Sequence, residues 1–150
     1  MNQLEKQLRV VKDLWIHRHP RFIDDFEAAL GEVANIGDPG CIGKLLELFE
    51  DDPSLDPPLF LIIHLVESFP DNVYLSELVK SGALLLRQSP HWAGILFLRV
   101  INSPTAKEEL IRASANWNDS VAESVASILE VIEQDNPELG PKVRAVRERL

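Results

Sequence analysis

Proline placement is the feature that most constrains how this 150-residue chain can fold. Several of its ten prolines directly follow an aspartate, serine or asparagine. At a helix start, the side-chain oxygen of such a residue accepts a free backbone N–H, and proline in the first helical position has no N–H to leave unpaired. These dipeptides therefore predict helix starts at Asp38-Pro39, Asp56-Pro57, Ser89-Pro90, Ser103-Pro104 and Asn136-Pro137.

The intervals between these starts have the length and apolar spacing of helices. Apolar residues recur at steps of three and four, as in Phe22, Phe26, Leu30 and Val33, and no alternating strand pattern competes with them. The sequence predicts an all-α fold of eight to nine helices in one domain over residues 1–150. The predicted helices lie at roughly 3–14, 21–36, 39–50, 57–69, 72–87, 90–102, 104–116, 119–135 and 138–150.

Helices joined by connections this short must pack largely as consecutive antiparallel pairs. Residues 27–53 resemble a HEAT-type helical hairpin, in which a first helix ends at Gly-Asp-Pro and a Leu-rich second helix ends in an acidic turn. Repetition is poor over the rest of the chain. Two architectures therefore stay open, a HEAT-like α-solenoid with degenerate repeats and an irregular helical bundle.

Composition excludes several classes of protein. With 45% hydrophobic residues the chain can bury a core, which excludes a disordered protein, and its single cysteine excludes a disulfide framework and a thiolate zinc site. Charges interrupt the N-terminal residues, so we do not expect them to form a signal peptide. The longest uncharged apolar stretch, residues 57–66, is about half the length of a membrane span. We expect a soluble, cytoplasmic protein.

The net charge of −9 is concentrated in one part of the chain. Residues 23–79 contain thirteen acidic side chains and a single basic one, Lys44. Such an acidic field repels nucleic acid and anionic membranes, and it attracts a basic partner. On composition alone, the preferred interpretation is a solvated surface that only keeps the protein in solution.

Two predicted helices, 57–69 and 90–102, are apolar on nearly every side, so we expect them to be central and covered. Their charged residues therefore need partners, because an unpaired buried ion costs several kcal/mol. The simplest solution pairs Arg99 with Glu67 or Asp71.

Catalysis has weak support in the sequence. His64 and Glu67, three residues apart, could form a base with its orienting carboxylate or two metal ligands, but the pattern occurs once, and a structural polar network is the preferred interpretation. Cys41 lies at a predicted helix start with no nearby base, which favours a packing role over a nucleophile. We therefore predict no catalytic residue, no metal site and no cofactor.

Four motifs occur in order along the chain. They are an acidic Phe-Glu-Asp-Asp turn at 49–52, an apolar helix with Phe60, His64 and Glu67, a Ser-Pro-His-Trp helix start at 89–92, and Arg99-Val-Ile-Asn-Ser103. In this combination the chain resembles the immunity proteins of bacterial polymorphic toxin systems, in particular immunity protein family thirty. The resemblance covers roughly residues 22–115.

The resemblance implies a small cytoplasmic antidote that is encoded beside a toxin, as in contact-dependent growth inhibition, and blocks it by direct one-to-one binding without being an enzyme. A basic nuclease is the toxin class that an acidic face would suit. We expect no nucleic acid or membrane partner, and we favour a monomer. The alternative is a HEAT-like adaptor that binds a partner without inhibiting it.

Two sets of residues follow from this interpretation. The predicted toxin-binding residues form an acidic face and are Asp24, Asp25, Glu50, Asp51, Asp52 and Asp56. The motif residues are expected to be mostly scaffold and are Phe60, His64, Glu67, Trp92, Arg99 and Asn102.

Overall fold

The structure, a computed structural model, describes residues 1–150 and contains ten α-helices, two short 3-10 helices and no strand. The all-α prediction is confirmed. The α-helices are α1 (Gln3–His17), α2 (Phe22–Ile36), α3 (Cys41–Leu46), α4 (Asp56–Glu67), α5 (Asp71–Lys80), α6 (Gly82–Gln88), α7 (Pro90–Asn102), α8 (Pro104–Ser114), α9 (Asp119–Asp135) and α10 (Gly140–Arg147). The 3-10 helices, Pro53–Leu55 and Pro137–Leu139, precede α4 and α10.

The predicted count of eight to nine helices is too low because the predicted helix at 72–87 is two helices. Helix α5 ends at Lys80, and α6 begins at Gly82, with Ser81 between them. Gly82 is buried against α9, where an added Cβ would lie 3.4 Å from Ile128 and 3.7 Å from Ser124. The missing side chain lets α6 approach α9 closely.

The helix starts predicted from the Asp-Pro, Ser-Pro and Asn-Pro dipeptides are correct in part. Ser103 caps α8 by accepting the N–H of Ala106 at 3.4 Å, as predicted. The cap prediction for Ser89 is wrong, since its hydroxyl lies 3.5 Å from the carbonyl oxygen of Leu85 and does not cap α7. Asp56 lies inside α4, and the cap one turn earlier is Asp52, whose carboxylate accepts the N–H of Ser54 at 3.0 Å.

One hydrophobic core runs through the molecule, with 38 buried apolar residues in a single cluster. Helix α4 contributes fully buried residues such as Leu59 and Ile62, and α7 contributes Leu96 and Phe97. The two helices predicted to be central do line this core, although each keeps one side open to solvent.

Helices α4 and α7 lie side by side and run in the same direction. The rings of Phe60 and Trp92 lie 5.4 Å apart, and two helical turns further along both helices Glu67 contacts Arg99. Because both contacts advance by the same number of residues, the helices are parallel and in register. Such side-by-side stacking is compatible with both predicted architectures, the α-solenoid and the irregular bundle.

The C-terminal helices are fastened to the rest of the chain by ion pairs. Arg149 makes a bidentate pair with Glu108 of α8, at 2.8 and 2.9 Å, and Arg144 contacts Glu133 of α9 at 2.8 Å. The basic residues at this end therefore have intramolecular partners. No helix of the fold is both long enough and apolar enough to cross a bilayer.

Candidate functional site

The six predicted toxin-binding carboxylates belong to two chain segments, 24–25 and 50–56, whose neighbouring residues line one surface cavity, although none of the six lines it. The α1–α2 connection and the start of α4 together line a surface cavity of about 400 Å³, with Ile23 on one side and Ser54 and Pro57 on the other. We call this region the acidic end. Its carboxylates are Asp24, Asp25, Glu50, Asp51, Asp52 and Asp56.

Glu50 and Asp25 are held by neighbouring side chains of this end. The carboxylate of Glu50 accepts the indole N–H of Trp15 at 3.0 Å and lies 3.7 Å from the guanidinium of Arg18. Asp25 lies 3.2 Å from the imidazole of His19. The guanidinium of Arg18 therefore offsets part of the negative charge of Glu50.

Asp51 and Asp52 cap the N-termini of helical segments. Asp51 accepts the backbone N–H groups of His91 at 3.1 Å and Trp92 at 3.4 Å, the first free donors of α7. Asp52 accepts both the N–H and the hydroxyl of Ser54. Each helix N-terminus carries about half a positive charge, so these carboxylates offset the helix dipoles as well as contributing to the surface charge.

Asp24 and Asp56 remain as the carboxylates of the acidic end that make no side-chain hydrogen bond or ion pair. Asp24 is exposed, and Asp56 is partly exposed in the first turn of α4. Without an intramolecular partner, they are the members of the set most available to an incoming basic group. A role of the six residues in binding stays a prediction.

The motif residues line the open side of α4 and α7, next to the acidic end. Trp92 is buried, with its ring 5.5 Å from Phe49, whereas Phe60 is 37% exposed and His64 is exposed with no hydrogen bond or ion pair. We call this surface, formed by Phe60, His64, Glu67, Arg99 and Asn102, the motif face. The scaffold role expected for its residues fits the buried Trp92, and for exposed His64 it stays a prediction.

The predicted ion pair of Arg99 is confirmed, with Glu67 as the partner. Arg99 donates from Nε and Nη2 to the two carboxylate oxygens of Glu67, both at 2.8 Å. This hydrogen bonding raises the pKa of Arg99 further above its ordinary value. The side chains are 40% and 28% exposed, so the pair lies at the surface rather than in the covered interior that the apolar helices predicted.

A cavity of about 430 Å³ opens beside this ion pair. It lies between α4, α5, α7 and α8, and its lining includes Glu67, Asp71, Tyr74, Arg99 and Ser103. The hydroxyl of Tyr74 is buried and has no hydrogen-bond partner, and burial raises the pKa of this phenol far above its ordinary value, with the charge of Glu67 adding to the rise. Sequence reasoning did not identify this cavity, because Asp71 was considered only as an alternative ion-pair partner of Arg99.

The arrangement does not assemble an acid–base pair from His64 and Glu67. The carboxylate of Glu67 is occupied by Arg99, and His64 makes no contact with it. Cys41 is fully buried, and burial, with a smaller effect from Asp38, raises the pKa of its thiol to about 11. A thiol in this state packs rather than reacts. No group of three or more His, Cys, Asp or Glu side chains converges as metal ligands would.

Comparison with known protein families gives a match. The model of a protein family described as Immunity protein 30 matches residues 15–110. This range contains the acidic end, the motif face and the cavity, and it leaves out α9 and α10. No curated protein and no solved structure matches the chain.

Proposed function

Because the chain belongs to the Immunity protein 30 family, we propose that it neutralises a cognate bacterial toxin by binding it directly. The family match carries this proposal, since it spans about two thirds of the chain and includes the residues of both candidate surfaces. The protein acts in the cytoplasm of the cell that makes the toxin, and it acts by occupying a toxin surface rather than by catalysis.

Two neighbouring surfaces support direct binding. The acidic end offers Asp24 and Asp56 without intramolecular partners, and Ile23 beside them is 41% exposed. The motif face offers Phe60, an exposed aromatic ring backed by the buried Trp92. Aromatic anchors surrounded by charged residues are typical of protein interfaces.

The charge of the chain favours a basic toxin domain as the partner. The net charge of −9 attracts a positively charged protein and speeds its diffusional encounter. Nucleases carry basic clefts for phosphate backbones, so an acidic antidote can occupy such a cleft. A basic nuclease domain is therefore the toxin class we propose.

The test uses the toxin domain encoded beside this gene. We expect a one-to-one complex by calorimetry and loss of toxin activity in proportion to the complex formed. Binding without inhibition would favour the alternative of an adaptor. Absence of binding at micromolar concentrations of both proteins would contradict the proposal.

A further inference from the structure

We propose that the cavity beside the Glu67–Arg99 pair receives a lysine or arginine side chain of the toxin. The inference rests on the proposed function and specifies where the toxin is anchored. At about 430 Å³ the cavity has the size of sites that hold small ligands, roughly 300–1,000 Å³, so a long side chain fits within it.

The hydrogen-bonding groups of the cavity that have no partner determine which kind of ligand group it can bind. Asp71 is partly buried in the first turn of α5, and its carboxylate makes no hydrogen bond or ion pair. Tyr74, one turn further along the same helix, has a buried hydroxyl without a partner. A carboxylate is only an acceptor, and a neutral phenol can accept as well as donate. Asp71 thus requires a donor, and the Tyr74 hydroxyl can accept from the same donor.

The positive groups at the cavity already have partners. Arg99 directs its Nε and Nη2 donors to Glu67. Lys142 of α10 does not line the cavity; it donates to the side-chain oxygen of Asn102, which does. The lining itself therefore has no unpaired cation for an anionic ligand, and Asp71 is its one charged residue without a counter-charge.

An ammonium or guanidinium group is both a hydrogen-bond donor and a counter-charge for Asp71. It supplies a positive charge to Asp71 and has a further N–H for the Tyr74 hydroxyl. A basic side chain held in a pocket of this kind is typical of the few residues that dominate interface affinity. The cavity would then complement the more diffuse attraction of the acidic end with one defined contact.

The experiment compares the affinity of the toxin domain for wild-type protein, Asp71→Asn and Tyr74→Phe by calorimetry. Loss of a hydrogen bond to a charged group should weaken binding by about tenfold to a hundredfold for Asp71→Asn and by several-fold for Tyr74→Phe. Asp119→Asn is the matched control, because Asp119 is also the first residue of a helix, is exposed and makes no side-chain hydrogen bond or ion pair.

The outcomes separate the two proposals. Normal binding by wild-type protein and the control, with weaker binding by both cavity variants, supports the cavity as the anchor. Binding by either folded cavity variant within twofold of wild type overturns the inference and leaves the proposed function intact. Failure of the wild-type protein to bind contradicts the proposed function, and this inference with it.

Discussion

The carboxylate of Asp51 accepts a hydrogen bond from the backbone N–H of Trp92, which lies 41 residues later in the chain. The turn after α3 is thereby fastened to the first turn of α7, and the ring of Phe49 packs against Trp92 at the same place. Asp51 thus performs the capping that Ser89 was predicted to perform. A residue predicted to bind the toxin therefore has a structural task of its own.

Replacing Asp51 should destabilise the folded protein. We expect Asp51→Ala to lower the free energy of unfolding by about 1 kcal/mol, because two N–H groups of α7 lose their acceptor. Asp51→Asn should retain most of the stability, since asparagine is an equally good capping residue. Urea denaturation of both variants, with Asp24→Ala as a control at an unpartnered carboxylate, measures the effect. Equal stability of Asp51→Ala and Asp24→Ala would contradict the capping role.

The ion pair between Glu67 and Arg99 should contribute modestly. Both side chains are partly exposed, so a double-mutant cycle with Glu67→Gln and Arg99→Met should give a coupling of about 0.2–1 kcal/mol. The coupling should decrease at high salt, since partly exposed charges are screened. Thermal denaturation of the four proteins at low and high salt measures it. A coupling of several kcal/mol would mean that the pair behaves as a buried one.

Charge reversal at the two unpartnered carboxylates should slow toxin association. We expect Asp24→Lys/Asp56→Lys to reduce the association rate roughly tenfold at low ionic strength and less at physiological salt, because long-range attraction is screened. Stopped-flow mixing with the toxin domain measures the rate. The control, Glu123→Lys/Glu130→Lys, makes the same change in net charge at exposed sites on α9. If both double variants slow association equally, the net charge rather than the acidic end steers the toxin.

The buried thiol of Cys41 should make stability depend on pH in the alkaline range. Its pKa is raised from 9.0 to about 11, so the folded state holds the proton more tightly than the unfolded state. This contribution is fully present below pH 9.0 and is lost as the pH rises to about 11, at about 1.4 kcal/mol per pH unit. Urea denaturation of wild type and Cys41→Ala across this range should show the additional decline in wild type alone. Parallel pH profiles would be the contrary result.

Removing the hydroxyl of Tyr74 should not destabilise the free protein. The hydroxyl is buried without a partner, so Tyr74→Phe leaves the ring in place and removes an unsatisfied group, which is neutral or stabilising. Tyr74→Ala should instead cost about 3–5 kcal/mol, as large-to-small replacements of buried aromatic residues do. Thermal and urea denaturation distinguish the two. A large loss of stability in Tyr74→Phe would show that the hydroxyl has a structural partner.

Features that depend on a few neighbouring residues were predictable from the sequence. The caps and prolines near Ser103 locate α8, and the apolar spacing of Phe22 and Phe26 locates α2. The four ordered motifs indicated the family that the comparison then matched. The sequence predicted that Arg99 pairs with a carboxylate, because a charge in an apolar helix needs a partner. It did not distinguish between Glu67 and Asp71 as that partner.

The chain sequence by itself determined the helical fold class, the position of most helices and the excess of negative charge, because helix caps, apolar periodicity and composition act within one or two turns. Only the tertiary structure decided that Asp51 caps α7, that Glu67 rather than Asp71 pairs with Arg99, and that Tyr74 lies in a cavity beside them. These outcomes depend on the parallel placement of α4 against α7, and the packing of side chains distant in sequence sets that placement.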